Sequence, residues 1–472
     1  MPTPSSRPDR VQIHRHEADE LGAEVTGTVF LPGDAGYEGE CATYNLAHPH
    51  RPAVVVGAVT AADVQAAVRF AARRRLPVAV LATGHGTPMA SDGAVLIATR
   101  RMDAVTIDEA NRVARVQAGT RWEQVVAAAA PFGLAPLNGA SPTVGVVGYT
   151  LGGGLGPLGR AYGYASDRVR AIDLVTSDGE LRQVTPSSEP DLFWALRGGK
   201  GNFGVVTALE FDLVPLPHFY GGGLFFPGEY APQVLNAWRE WVATVPDEMT
   251  SSVALLRLPP LPEVPEPLRG RLTVHVRIAY AGTAADAEPL VEPLRAAAPS
   301  IIDTVAEMPY AAVGSIHADP PAPIPMYDRS ALLRDFPAEA VDAIVELAGS
   351  GANSPLVLVE IRHLGGALAR PGGSPSAIDH HQLPFLFYTV AIAGPDQATA
   401  VDGYAAKLLQ NLAPWDSGRR LVNFLTATDA TAEGVRGAYT TATYERLRAV
   451  KASYDPENLF RVNQNIEPLP NA

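Results

Sequence analysis

The chain has 472 residues, 47% of them hydrophobic and 18% charged, which excludes disorder and implies a globular protein of two or three domains. Its 37 Lys and Arg against 50 Asp and Glu leave a formal charge of −13, which argues against nucleic acid or an anionic membrane as the main partner. A single cysteine, Cys41, rules out an internal disulfide and a cysteine-based metal site. No apolar run is long enough to span a membrane, and residues 1–19 lack the apolar core of a secretory signal. Many Ala and Arg beside few Lys suggest a GC-rich bacterial source. A soluble, cytoplasmic protein is the expectation.

In chain order, residues 1–20 read as a loose arm. Ala53–Val56 predicts a strand, and Thr60 caps a helix through Arg74 with Val64, Ala67, Val68 and Ala71 at helical spacing. Pro77–Leu81 is a continuous apolar run, as a strand covered on both faces requires. Val95–Ile97 is a further strand, and residues 113–119 alternate with period 2 before a helix from Thr120 or Arg121 to Ala130. Ala171–Thr176 and Leu181–Val184 flank Asp178-Gly179, a hairpin turn. Val205–Phe211 is the last strand before a proline-rich boundary at 215–217. Beyond Phe219 come a helix with Trp238 and Trp241, strands at 251–258 and 271–280, and a helix at 284–298. A proline stretch at 320–325, a helix at 338–347 and strands at 356–363 and 385–393 follow. Strands in runs with helices between them predict an antiparallel sheet with helices on one face. Residues 444–468 read as a helix ending in a tight loop.

Chemistry gathers at three glycine clusters. The first, Leu81-Ala82-Thr83-Gly84-His85-Gly86, sets a histidine between two glycines directly after a strand, where the backbone can turn sharply and approach a ligand. Alone, such a histidine reads as a loop residue capping a strand. The second runs from Gly145 to Gly156 behind Ser141-Pro142-Thr143, and the third from Gly198 to Gly204. Bare amides of this kind can cradle a pyrophosphate. No cluster forms a strand–GxGxxG–helix unit with a downstream acid, and none carries Gly-Lys-Ser/Thr, so neither common nucleotide cradle is present. His380-His381 could suggest a metal, but no third ligand lies at motif spacing.

Four ordered motifs are similar to those of the berberine-bridge-enzyme-like flavin oxidases. They are Thr83-Gly84-His85-Gly86, the run from Ser141 to Gly154, Asp191 to Gly204, and the tail Tyr454-Asp455-Pro456-Glu457-Asn458-Leu459-Phe460 through Ile466. The resemblance extends from about Gly27 to the end of the chain. It implies an α+β protein: a two-subdomain FAD-binding domain of the PCMH type (the vanillyl-alcohol-oxidase fold) and a substrate domain with an antiparallel sheet covered by helices. The expected bounds are 1–47 for an arm and the start of the FAD domain, 48–218 for the FAD domain, 219–425 for the substrate domain, and 426–472 for a segment returning to the FAD domain.

The resemblance further implies FAD bonded through its 8α-methyl group to His85. Many relatives add a second bond from a cysteine where this chain has Ser141, so a single histidyl link is expected, as in the branch of 6-hydroxynicotine oxidase and bacterial polyketide-tailoring flavoenzymes. Thr83, Gly84, Gly86, Ser141, Thr143, Val144, Gly145, Gly148, Gly152, Gly153, Gly201, Asn202, Gly204, Val205, Asn463 and Gln464 complete the expected cofactor site. Val144 falls where a small side chain accompanies ready reaction with O2. Tyr149 reads equally as a wall or as a donor to substrate.

Relatives often carry Tyr-x-Asn-Phe with the tyrosine as base. Here the motif is Leu421-Val422-Asn423-Phe424, which keeps Asn423 and lacks the phenol. Leu358, Glu360 and Arg362 share one face of a strand, so Glu360 becomes the expected base, its pKa raised by apolar surroundings, with a structural Glu360–Arg362 pair as the alternative. His380-His381 is a candidate to orient substrate, whereas Tyr439, Tyr444 and His363 read as packing or surface residues. The implied activity is two-electron oxidation of a small secondary metabolite of polyketide type, by alcohol oxidation or ring closure, with O2 reduced to H2O2. The alternatives are a dehydrogenase, an oxygenating flavoenzyme, and a flavin-binding protein without catalysis. A monomer or homodimer is expected.

Overall fold

A computed structural model describes residues 12–86 and 89–470. The expected loose arm is helical in its described part, from Arg15 to Glu24, because Ala18 and Leu21 bury one face against the first core. Its first eleven residues lie outside the described ones.

The first sheet has the order Thr28–Phe30, Val54–Gly57, Val95–Ala98, Val78–Leu81, with the first pair antiparallel and the other two parallel. Val54, Val55, Val56, Val95, Leu96 and Ile97 are fully buried, since cores form on both faces of this sheet. The helix Ala61–Arg74 covers one face. Thr60 Oγ1 accepts from the Asp63 amide while the Asp63 carboxylate accepts from the Thr60 amide, which fixes its start. Cover of the strand Val78–Leu81 is incomplete, contrary to expectation: Val80 is 42% exposed, because this strand forms the sheet's edge and borders a cavity.

A second, antiparallel sheet orders Val105–Asp108, Val113–Gln117, Val205–Asp212, Val169–Val175 and Leu181–Val184, the last two joined by the expected Asp178-Gly179 turn with Gly179 at φ +77. Helix Thr441–Tyr454 returns to this sheet and packs Tyr444, Leu447 and Val450 into its core. The buried Lys451 ties the tail down, donating to the carbonyls of Asn202 and Phe460 and pairing with Asp455.

The third sheet is antiparallel throughout and orders Ile302–Asp303, His218–Pro227, Leu272–Tyr280, Met249–Arg257, Leu358–His363, Phe385–Ile392 and Met326–Leu333. Period-2 alternation decides its two faces. Val274, Val276, Ile278, Val359 and Ile361 point into a core with helices Ala231–Trp241, Ala284–Arg295, Ala338–Ala348 and Ala398–Asn411. His275, Arg277, Leu358, Glu360 and Arg362 point the other way and line the cavity.

Candidate active site

The open face of the third sheet and the glycine loops enclose a cavity of about 1330 Å³. Single small-ligand pockets run to roughly 1,000 Å³, so this cavity exceeds what one small ligand needs. All the expected cofactor residues line it except Thr143, Gly152, Gly153 and Asn202.

On the loop side, Thr143 Oγ1 lies 3.0 Å from His85 Nε2 and is itself 3.1 Å from Ser141 Oγ. The Tyr44 ring stacks on the imidazole at 3.6 Å and 14°. Burial, followed by the nearby charge of Arg121, pushes His85 down to about 4, so its ring is neutral near pH 7 and keeps one nitrogen lone pair. Tyr44 had no sequence signal, since it comes from an irregular loop far upstream.

The glycines divide by what a side chain would meet. A Cβ at Gly86 or Gly148 touches nothing within 4 Å, so protein packing does not demand glycine there, and both backbones lie open to the cavity. Gly152 and Gly153 are different and stand behind the wall: a Cβ would fall 2.0 Å from Asn423 Oδ1 and 2.8 Å from Ile378 respectively. Asn202 also acts within the protein. Its amide donates to the carbonyls of Gly199 and Gln464, and its oxygen accepts from the Ile466 amide, stapling the C-terminal tail. Within the protein these three residues serve packing and the fastening of the tail.

Tyr149, Glu360, Arg362 and Asn423 all line the cavity. The expected rise in the Glu360 pKa is wrong. Glu360 is fully buried, and burial alone would raise it, but Arg277 Nη1 at 2.5 Å, Ser252 Oγ at 2.7 Å and Arg362 Nη2 at 2.9 Å surround its oxygens. The two guanidinium groups hold the carboxyl well below its ordinary value. A carboxylate so firmly ionised is a poor base. The alternative, a Glu360–Arg362 pair, is present, with Arg277 as a third member. Arg277 had a readable signal: Thr273-Val274-His275-Val276-Arg277-Ile278 alternates polar with apolar.

Asn423 joins the two sides. Its Nδ2 donates to the Tyr149 carbonyl at 2.7 Å, and its Oδ1 accepts from Lys200 Nζ at 2.6 Å. Burial pushes Lys200 down to about 8. The Tyr149 ring forms a wall, meeting Trp122 edge-on at 5.5 Å, while its buried hydroxyl has no partner among the described residues. Asn463 Oδ1, also at the cavity, is likewise unpaired there. Orphaned polar atoms beside open glycine backbone suit a polar, planar ligand.

His380 lies elsewhere, its Nδ1 3.1 Å from the Leu368 carbonyl and its Nε2 3.6 Å from Asp167, and neither it nor His381 lines the cavity. Tyr439 donates to the Gly198 carbonyl and His363 meets Arg160, as packing residues would. Leu421 is buried among Leu332, Leu364 and Leu386, and Cys41 is buried in a separate core.

Residues 52–185 match the family described as FAD binding domain, and residues 427–467 match Berberine and berberine like. The chain is 30% identical to (R)-6-hydroxynicotine oxidase of Paenarthrobacter nicotinovorans, over 94% of this chain and 97% of that one. It belongs to the berberine-bridge-enzyme-like FAD-linked oxidases. The crystal structure of 6-hydroxy-D-nicotine oxidase from Arthrobacter nicotinovorans superposes with a TM-score of 0.81 at 29% identity, covering 94% of this chain and 98% of that one. A glucooligosaccharide oxidase from Acremonium strictum, whose structure is described as revealing a novel flavinylation, shares the fold with a TM-score of 0.82 at 21% identity over 96% and 99%. This berberine-bridge-enzyme-like chain is therefore an FAD-linked oxidoreductase of α+β, PCMH-type fold.

Proposed function

We propose that the protein oxidises an alcohol on a small, largely apolar secondary metabolite of polyketide type and passes the electrons to O2, releasing H2O2. FAD supplies the two-electron chemistry, held by one covalent link through His85. The observation that carries this reading is the setting of His85. Burial keeps the ring neutral, and in the tautomer whose Nε2 donates to Thr143 Oγ1 the nucleophilic lone pair lies on Nδ1. Ser141 offers no thiol for a second link, and the buried Cys41 does not border the cavity. The flavinylation named for the glucooligosaccharide oxidase agrees with covalent attachment in this fold.

The substrate's character follows from the sheet face. Leu256, Leu258, Leu358, Val390 and Ile392 line it around the polar group of Arg277, Glu360 and Arg362, which suits an apolar skeleton with one oxygen function. Arg277 and Arg362 would orient that oxygen, with Glu360 holding both in place. Val144, small and at the cavity, favours O2 as acceptor over a dehydrogenase or an oxygenating reaction.

The test is a spectrum of the acid-precipitated protein followed by peroxide assay on a panel of aryl and polycyclic alcohols. Yellow pellet and peroxide release are expected. Flavin in the supernatant would end the covalent part. Turnover with a dye but not with O2 would make the protein a dehydrogenase, and no turnover with either would favour a binding protein.

A further inference from the structure

The motif that lost its tyrosine is packed against another one. Phe424, which ends Leu421-Val422-Asn423-Phe424, meets the ring of Tyr388 edge-on at 5.3 Å and 82°. The backbone carbonyl of Phe424 accepts from Ser330 Oγ at 2.6 Å, and Ser330 is the cross-strand partner of Tyr388. Tyr388 borders the cavity, on the same face as Val390 and Ile392. Its hydroxyl donates to Asp328 Oδ2 at 3.0 Å, across the diagonal of the strand pair Met326–Leu333 and Phe385–Ile392. A phenol facing the cavity with a carboxylate behind it forms a two-step path for a proton.

We infer that Tyr388 takes the substrate's hydroxyl proton, with Asp328 acting through it, in the role left open at Leu421. This rests on the alcohol-oxidising reading above. As the alcohol's O–H bond breaks, its proton moves to Tyr388 Oη and the proton of Tyr388 moves to Asp328 Oδ2. The carbon-bound hydrogen leaves with its electron pair to the FAD of this family, so the alcohol becomes a carbonyl and two electrons are accounted for.

Several other titratable groups at the cavity serve this role less well. Glu360 is held ionised by two guanidinium groups, and burial keeps His275 and His317 neutral and far below their ordinary values. Asp319 and the exposed Glu263 are the other carboxyls on the cavity wall. Asp328 is pushed up to about 6, chiefly by burial, against the Tyr388 hydrogen bond. Asp429 raises it further, and Arg329, itself paired with Asp402 at 2.8 Å, lowers it. On the phenol side, burial and then Asp328 hold Tyr388 well above its ordinary value, with Arg362 lowering it and Glu360 raising it, so the phenol passes its proton to Asp328 as it takes one and is not a standing phenolate. Asp328 must be ionised to accept, so the rate rises with pH through about 6.

The experiment measures kcat and KM against pH for the wild type, Tyr388→Phe, Asp328→Asn and Asp319→Asn. The substrate is whichever aryl or polycyclic alcohol the wild type turns over best, with electrons read both as peroxide and as dichlorophenolindophenol bleaching. Tyr388→Phe should lose roughly a hundredfold or more in kcat with KM nearly unchanged. Asp328→Asn should lose the acid limb near pH 6, and both variants should keep pellet-bound flavin and a wild-type melting temperature. A Tyr388→Phe rate within about threefold of wild type, a surviving acid limb in Asp328→Asn, or the loss appearing instead in Asp319→Asn would overturn the inference. Dye reduction without peroxide would defeat only the oxidase reading and leave the test of Tyr388 running.

Discussion

Tyr44 lies flat on His85 and at the same time donates its hydroxyl to the Pro320 carbonyl at 2.7 Å. The same loop exchanges hydrogen bonds with the strap that follows: Ile324 donates to the Tyr44 carbonyl, Leu46 to the Ile324 carbonyl, and Asn45 pairs with both backbone groups of Met326. The proline stretch at 320–325 is thus fastened to the histidine's own wall. The group expected to anchor the cofactor and the segment that borders the substrate space share one residue.

Changing His85 separates tether from fold. His85→Ala should release its flavin into the supernatant on acid precipitation, while the wild type keeps flavin in the pellet. Tyr44→Phe keeps the stacked ring and loses only the bond to Pro320, so it should retain flavin as the wild type does. Absorbance of pellet and supernatant decides both, and a Tyr44→Phe protein that sheds flavin would show that the strap, not the ring, positions His85.

Glu360→Gln should act on stability first. It removes the counter-charge of two buried guanidinium groups, and breaking a buried ionic cluster in this way costs about 3 kcal/mol. The folded carboxyl lies below its unfolded value of roughly 4.3, so its contribution is present above that pH and is lost as pH falls further. Urea melts from pH 3 to 7 should show a shallower acid loss for Glu360→Gln than for the wild type. Equal slopes would mean that the two arginines do not hold the charge.

The contrast between Glu360 and His85 marks what a sequence can carry. His85 was legible because its setting is local: a strand, two glycines and a turn lie within six residues. The placement of Leu358, Glu360 and Arg362 on one face was legible too, because alternation on a strand is also local. The charge state of Glu360 was not, since it depends on Ser252 and Arg277, which reach it only through the register of neighbouring strands. The packing roles of Gly152 and Asn202 were not legible for the same reason. Their partners, Asn423 and residues 464–466, arrive from the far end of the chain.

Val144→Leu tests the acceptor. Val144 borders the cavity and packs against the core of the second sheet, so the added methylene has room only on the cavity side. Stopped-flow reoxidation of the reduced enzyme by O2 should slow by about tenfold, equivalent to roughly 1.4 kcal/mol in barrier height, with reduction by substrate little changed. An unaltered reoxidation rate would remove Val144 from control of O2.

Asn423 and Gly152 should fail together. Asn423→Ala leaves the Tyr149 carbonyl and the Lys200 ammonium without their partner, and an unpaired buried polar group costs about 1–3 kcal/mol. Gly152→Ala leaves Asn423 in the chain but drives a methyl to 2.0 Å from its Oδ1, displacing the same side chain. Both variants should therefore melt several degrees below the wild type, and the double variant should be less destabilised than the sum of the two, because removing Asn423 takes away the nearer obstacle to the new methyl and leaves only the flexible Lys200 Cε at 2.6 Å. Thermal melts of the four proteins give the coupling. Strict additivity would mean that Gly152 answers to some contact other than Asn423.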